Sequence, residues 1–250
     1  MKKAIILALS LLCFSFGTVS AQTLKGDVNG DGLVNTSDVT ALLDLILNPT
    51  SPEYVDLGLP GGVLWATCNV GASKAEDYGL YFAWGETTGY YSVGRNFGWA
   101  TYKWCKGAEK TLTKYCTQTS YGTVDNKTTL EAADDAATYY WGDSWRMPTK
   151  QECDDLVNSN YTTTEWTTLN GVYGRKITSK SNGNSIFLPA SGRMEGAELS
   201  DRSSYGFYWS NTLCTERGNC YAGSLYFRSG GIYTSYSYRY LAHNIRPVRK

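Results

Sequence analysis

Hydrophobic residues fall along this chain in short bursts, with few stretches periodic enough for a long helix. The first apolar run, residues 4–16, follows Lys2 and Lys3 and is followed by the small residues Val19, Ser20 and Ala21 before Gln22. It is shorter than the roughly 20 residues that span a bilayer. A basic start, an apolar middle and a small-residue exit define a secretory signal, so residues 1–21 are expected to be cleaved. Cys13 follows Leu11 and Leu12, not the small residue a lipid-attachment motif needs, so no lipid anchor is expected. No later segment reads as a membrane span.

Val39, Leu42, Leu43, Leu45, Ile46 and Leu47 recur at helical spacing, and Pro49 ends that run. Residues 49–53 then read as a linker. Beyond it the pattern predicts strand-like stretches at residues 54–71 and 76–86, the second with aromatics on both faces, as in a buried strand. The alanine-rich residues 128–140 predict a helix. Thr149 followed by Glu152 is a capping box, predicting a helix that turns Cys153, Leu156 and Val157 to the core. Short strands are expected at residues 175–177, 185–188, 207–211, 225–227 and 232–240. The expected fold class is α+β, with two helices among several short antiparallel strands.

Composition sharpens this picture. Only 18% of the 250 residues are charged, while Tyr numbers 20, Trp 8 and Gly 26, a profile of short strands and many loops. The chain carries 23 basic and 23 acidic residues, and losing Lys2 and Lys3 leaves 21 against 23. That balance gives no reason to expect nucleic acid or anionic lipid as partner. Six cysteines remain after the signal: Cys68, Cys105, Cys116, Cys153, Cys214 and Cys220. Export permits disulfides. The short spacings suggest Cys105–Cys116 and Cys214–Cys220, leaving Cys68 with Cys153; the alternative is thiols packed in the core. With no C-x-x-C pair and His243 as the one histidine, zinc is not expected.

Asp27, Asn29 and Asp31 occupy positions 1, 3 and 5 of a twelve-residue loop; Gly32 makes its sharp turn, Leu33 offers a carbonyl and Asp38 closes it. Alternating oxygen donors of this kind suit calcium, although Asp38 stands where the EF-hand pattern has Glu. With Asn35 at position 9 and the leucine-rich run behind it, residues 22–48 resemble one repeat of a dockerin, which in full has two. The resemblance implies Ca2+ binding. A lone repeat cannot bury its apolar helix face, so it is expected to pack on the next domain or on a second chain.

Residues 54–250 resemble the Fibrobacter succinogenes major paralogous domain, common in secreted proteins of Bacteroidetes and Fibrobacteres. The segments that carry the likeness include those starting at Val55 (VDLGLP), Leu64 (LWATCNVGA), Tyr78 (YGLYFAWGET), Trp145 (WRMPTK), Leu188 (LPASG) and Ile245 (IRPV). The resemblance implies a C-type-lectin-like fold related to formylglycine-generating enzymes and to the variable proteins of diversity-generating retroelements. In such folds late strands and loops carry the binding face. Here those hold Tyr233, Tyr236, Tyr238, Arg239 and Tyr240, with Tyr205 as an extension. Tyr and Ser together suit binding surfaces, and period-two spacing puts Tyr236, Tyr238 and Tyr240 on one strand face. The other expectation for these tyrosines is a half-buried strand face.

The leading ligand is a glycan, since aromatic faces stack on pyranose rings; a protein ligand, as for an adhesin, is the alternative. No Glu-Pro-Asn, Gln-Pro-Asp or Trp-Asn-Asp occurs, so calcium-bridged sugar recognition is not expected in the main domain. A Ser-His or Cys-His enzyme would have to use His243, which has no nucleophile motif beside it. Glu86, Glu195, Glu198 and Asp201 could supply a glycosidase pair, a third and weaker reading. The expected destination is the periplasm, cell surface or medium.

Overall fold

The computed structural model describes residues 26, 33–40, 52–92 and 94–250. The chain divides between Ser51 and Pro52 into two compact units. In the first, residues 36–40 are helical. Asn35 starts that helix: its side-chain oxygen accepts from the Ser37 amide at 2.7 Å, and the Asp38 carboxylate accepts from the Asn35 amide at 2.7 Å. This reciprocal pair is the capping-box arrangement, with Asp in the role of Glu. The expected continuation of the helix to residue 47 lies outside the described residues, as does the signal segment.

The second unit is mostly antiparallel strand. β1 (Tyr54–Asp56), β2 (Leu64–Ala66), β3 (Trp145–Arg146) and β12 (Val248–Arg249) form a four-stranded sheet in the order β1-β2-β12-β3. β4 (Thr162–Leu169), β5 (Val172–Ser179) and β6 (Ser185–Pro189) form a second sheet, and β7 (Arg193–Glu195) pairs with β8 (Glu198–Ser200). β9 (Tyr205–Leu213), β10 (Tyr221–Arg228) and β11 (Gly231–Tyr238) form an antiparallel meander. The helices of this unit are a 3-10 turn at Ala132–Asp134, α1 (Ala136–Trp141) and α2 (Lys150–Val157).

α2 begins as its sequence dictates. Thr149 accepts from the Glu152 amide at 3.1 Å, and the Glu152 carboxylate accepts from the Thr149 amide at 2.8 Å. Glu152 also takes two bonds from Arg146, at 2.7 and 2.6 Å. Burial pushes its carboxyl pKa up, but the paired guanidinium and the amide outweigh that and hold it below 4.5. Cys153 and Leu156 are buried against Leu57, Trp65 and Phe227.

Three expectations need correction. The helix over residues 128–140 is only α1, because Asp135 is its N-cap: the carboxylate accepts from Ala137, Thr138 and Met147 amides and so ends what precedes it. Residues 76–86 are buried from Leu80 to Trp84 but form no ladder; their amides go to separate partners, Tyr81 to Tyr90, Phe82 to His243 and Trp84 to Arg239. All six cysteines are free thiols. Cys105 donates to the Trp99 carbonyl at 3.0 Å, Cys116 to Gln118 at 3.1 Å and Cys68 to Ala72 at 3.3 Å, while Cys214 accepts from the Arg217 amide at 3.4 Å.

Trp65, Trp84, Trp145 and Trp209 are fully buried. Each indole contributes at most roughly 4–6 kcal/mol by area. The Trp84 and Trp209 N–H groups donate to Ser210 and Phe82 carbonyls, both at 2.8 Å, so burial leaves neither donor unmet.

Candidate functional site

The strand register sorts the late tyrosines. Tyr221 faces Tyr238, Gly223 faces Tyr236, Leu225 faces Thr234 and Phe227 faces Ile232. Successive side chains alternate faces, so Tyr236 and Tyr238 share the face that α2 covers, where Lys150 and Asp154 reach Thr234. Tyr226 and Tyr233 are opposed in the register and lie on the other face. Phe207 opposes Tyr226 from β9, and Tyr205 opposes Arg228.

On that second face four rings form a row. Tyr205 stacks on Phe207 (5.9 Å, 13° between planes), and Phe207 on Tyr226 (6.2 Å, 18°). Tyr226 then meets Tyr233 at 5.5 Å and 32°. The row grades from the buried Phe207 to Tyr233, which is 47% exposed. Arg193 lies over the Phe207 ring at 5.1 Å. Its guanidinium reaches the Glu195 carboxylate at 3.8 Å, and Glu195 accepts from the Tyr240 hydroxyl at 3.2 Å. Trp99 sits edge-on to Tyr240, 5.0 Å away, and to Tyr238, 6.0 Å away. Tyr238 stacks between Tyr221 (4.4 Å) and Tyr240 (5.6 Å). Arg193 and Glu195 therefore join two aromatic groups into one contact network. Burial first, then the Glu195 carboxylate, pushes the Tyr240 phenol up to about 12, so it remains a hydrogen-bond donor at neutral pH.

Of the residues expected to bind ligand, Tyr205, Tyr233 and Tyr240 belong to this network, and Tyr238 supports it. Tyr236 does not: it is half-buried beside α2, with Lys150 and Arg217 each 5.6 Å from its ring. Arg239 is a correction. It is fully buried and donates to the Tyr102 hydroxyl at 2.9 Å and to the carbonyls of Tyr115 (3.1 Å), Asn219 (3.1 Å) and Lys114 (3.0 Å). Just past β11, the Arg239 backbone is held between two segments, its amide donating to the Cys220 carbonyl at 3.0 Å and its carbonyl accepting from the Trp84 amide at 2.9 Å. Trp99, Phe207, Tyr226 and Arg193 were not singled out as ligand residues in the sequence; their only signal was aromatic or basic character near a strand.

Of the residues expected to hold calcium, Asp27, Asn29 and Asp31 lie outside the described residues. Leu33 is exposed and Asp38 is buried, with one carboxylate oxygen on the Asn35 amide. The expected donors would all be oxygen, as a hard cation requires, and the Asp38 cap fixes the start of the helix at residues 36–40.

His243 is fully buried, 4.1 Å from the Trp209 ring and 5.3 Å from Phe207, and neither ring nitrogen has a hydrogen-bond partner among the described residues. Burial, then Arg193, holds its pKa well below 6.5 and keeps it neutral. Glu86 is buried and paired with Arg95, and Asp201 lies 3.9 Å from Arg193.

No protein-family model matches this chain, and no curated protein or solved structure shows significant similarity to it.

Proposed function

We propose that this protein is an exported binding protein that recognises a glycan through the joined aromatic surface of Tyr205, Tyr226, Tyr233, Tyr240 and Trp99, with the buried Phe207 behind it. The observation that carries the reading is the Arg193–Glu195–Tyr240 connection between the two ring groups. Sugar rings present C–H faces for aromatic contact and hydroxyls that need both donors and acceptors. A surface of graded rings with a guanidinium, a carboxylate and a phenol in its middle offers both. On the same reading, residues 54–250 are C-type-lectin-like, supported by their antiparallel sheets and two helices, and residues 1–21 direct export. Calcium in the Asp27–Asp38 loop serves structure, not the ligand.

A protein ligand is the second reading, favoured by the Tyr–Ser makeup of β11. The test is binding of residues 22–250 to a broad glycan array, with calcium and then with EDTA. Specific signals that survive EDTA are expected. A blank array from folded protein would overturn the glycan reading in favour of a protein partner.

A further inference from the structure

An open cleft of about 650 Å³ is lined by Gly71, Asp77, Tyr78, Gly79, Tyr91 and the exposed Arg202. Arg202 lies 4.7 Å over the Tyr78 ring, and one of its nitrogens donates to the Tyr81 hydroxyl at 3.4 Å. Those contacts orient the guanidinium, yet it has no carboxylate partner among the described residues, and most of its five donors remain unused. The backbone presents it deliberately. Asp201 and Ser203, on either side, have φ of 64° and 65°, a region non-glycine residues rarely occupy. The turn sits on Gly192, where a Cβ would come within 2.1 Å of the Ser200 carbonyl oxygen and 2.7 Å of the Arg202 amide. Asp77 is half satisfied: one oxygen accepts from Ser73 (3.4 Å) and the Lys74 amide (3.1 Å), while the other accepts nothing among the described residues.

We infer that this cleft binds a small, singly charged carboxylate ligand, with Arg202 gripping the carboxylate and the unused Asp77 oxygen accepting from a hydroxyl of the ligand. A planar guanidinium matches a planar carboxylate through two parallel bonds. A single guanidinium matches a single negative charge, whereas a phosphate dianion would lack a second cation. The assignment stands apart from the aromatic surface, because its lining residues are different.

The test is a calorimetric titration of the whole chain with galacturonate, its methyl ester and inorganic phosphate. Galacturonate is expected to saturate, with the ester and phosphate each at least about tenfold weaker, the size of one lost charge-assisted bond. Arg202→Lys is expected to lose about tenfold as well, with an unchanged unfolding midpoint, because lysine cannot supply the fork. Trp99→Ala is expected to leave galacturonate binding unchanged, which separates this cleft from the proposed glycan surface. Equal binding of acid and ester, tighter binding of phosphate, no saturable heat, or an indifferent Arg202→Lys would each overturn the assignment.

Discussion

Arg239 and Tyr240 are neighbours in the chain and differ in every structural respect. Arg239 is sealed among Trp84, Tyr102 and Tyr115, with its ring contacts at 4.9, 5.3 and 5.9 Å. Tyr240 is half-buried and ends in a hydroxyl shared with Glu195. At one end of the β9–β10–β11 sheet, Arg239 thus spends its polar groups on the fold, while the next residue leaves its ring and hydroxyl partly accessible. A tyrosine-, serine- and arginine-rich segment reads alike at both positions. Segments far away in sequence decide which residue is core: residues 102, 114, 115 and 219 close over Arg239, whereas Arg193, Glu195 and Trp99 only flank Tyr240.

The largest expected effect comes from removing the sealed side chain. Arg239→Ala strands three backbone carbonyls and opens a cavity, at a cost of roughly 3–5 kcal/mol; denaturant unfolding measures it. Tyr233→Ala, at an exposed ring, is expected to stay within about 0.5 kcal/mol in the same experiment. Equal losses would erase the distinction between sealed and accessible side chains.

His243 sharpens the boundary between them. A histidine held neutral in the fold binds fewer protons than the unfolded chain once pH falls below 6.5. Stability is therefore fully present above that value and declines as pH drops, by up to about 1.4 kcal/mol per pH unit. His243→Phe is expected to flatten the decline in unfolding curves taken between about pH 7 and about pH 5; an unchanged slope would mean that another group causes it. Smaller still is the contribution of Glu152. Its pKa is depressed, so the stability it adds is present above 4.5 and lost as pH falls further. Glu152→Gln is expected to remove that acid loss along with part of the α2 cap, and acid titration of both chains checks it.

Local chemistry was the legible part of this fold. The Thr149–Glu152 box and the strands containing residues 185–188 and 207–211 depend on neighbours in sequence, and they formed where the pattern put them. The short form of α1 was hidden because Asp135 binds the Met147 amide, a partner twelve positions on. Residues 80–84 read as a strand because they are apolar on both faces, yet the core holds them by side chains and isolated amide bonds. The cysteine pairs suggested by spacing gave way to free thiols, of which Cys68, Cys105 and Cys116 donate to nearby carbonyls. In the candidate site, Tyr205, Tyr233 and Tyr240 were visible from composition, while the Arg193–Glu195 bridge was not. It depends on how the β7–β8 hairpin meets β9 and the turn after β11, which no local pattern encodes.

The central claim is that the joined rings bind a glycan, and the most direct measurement is the affinity of the best array glycan for single variants. Trp99→Ala and Tyr226→Ala are each expected to weaken binding by about 1–2 kcal/mol, roughly five- to thirtyfold. Tyr173→Ala, an exposed ring on β5 in another sheet, is expected to change nothing. Unchanged affinity in the first two variants, or a loss in the third, would contradict the account.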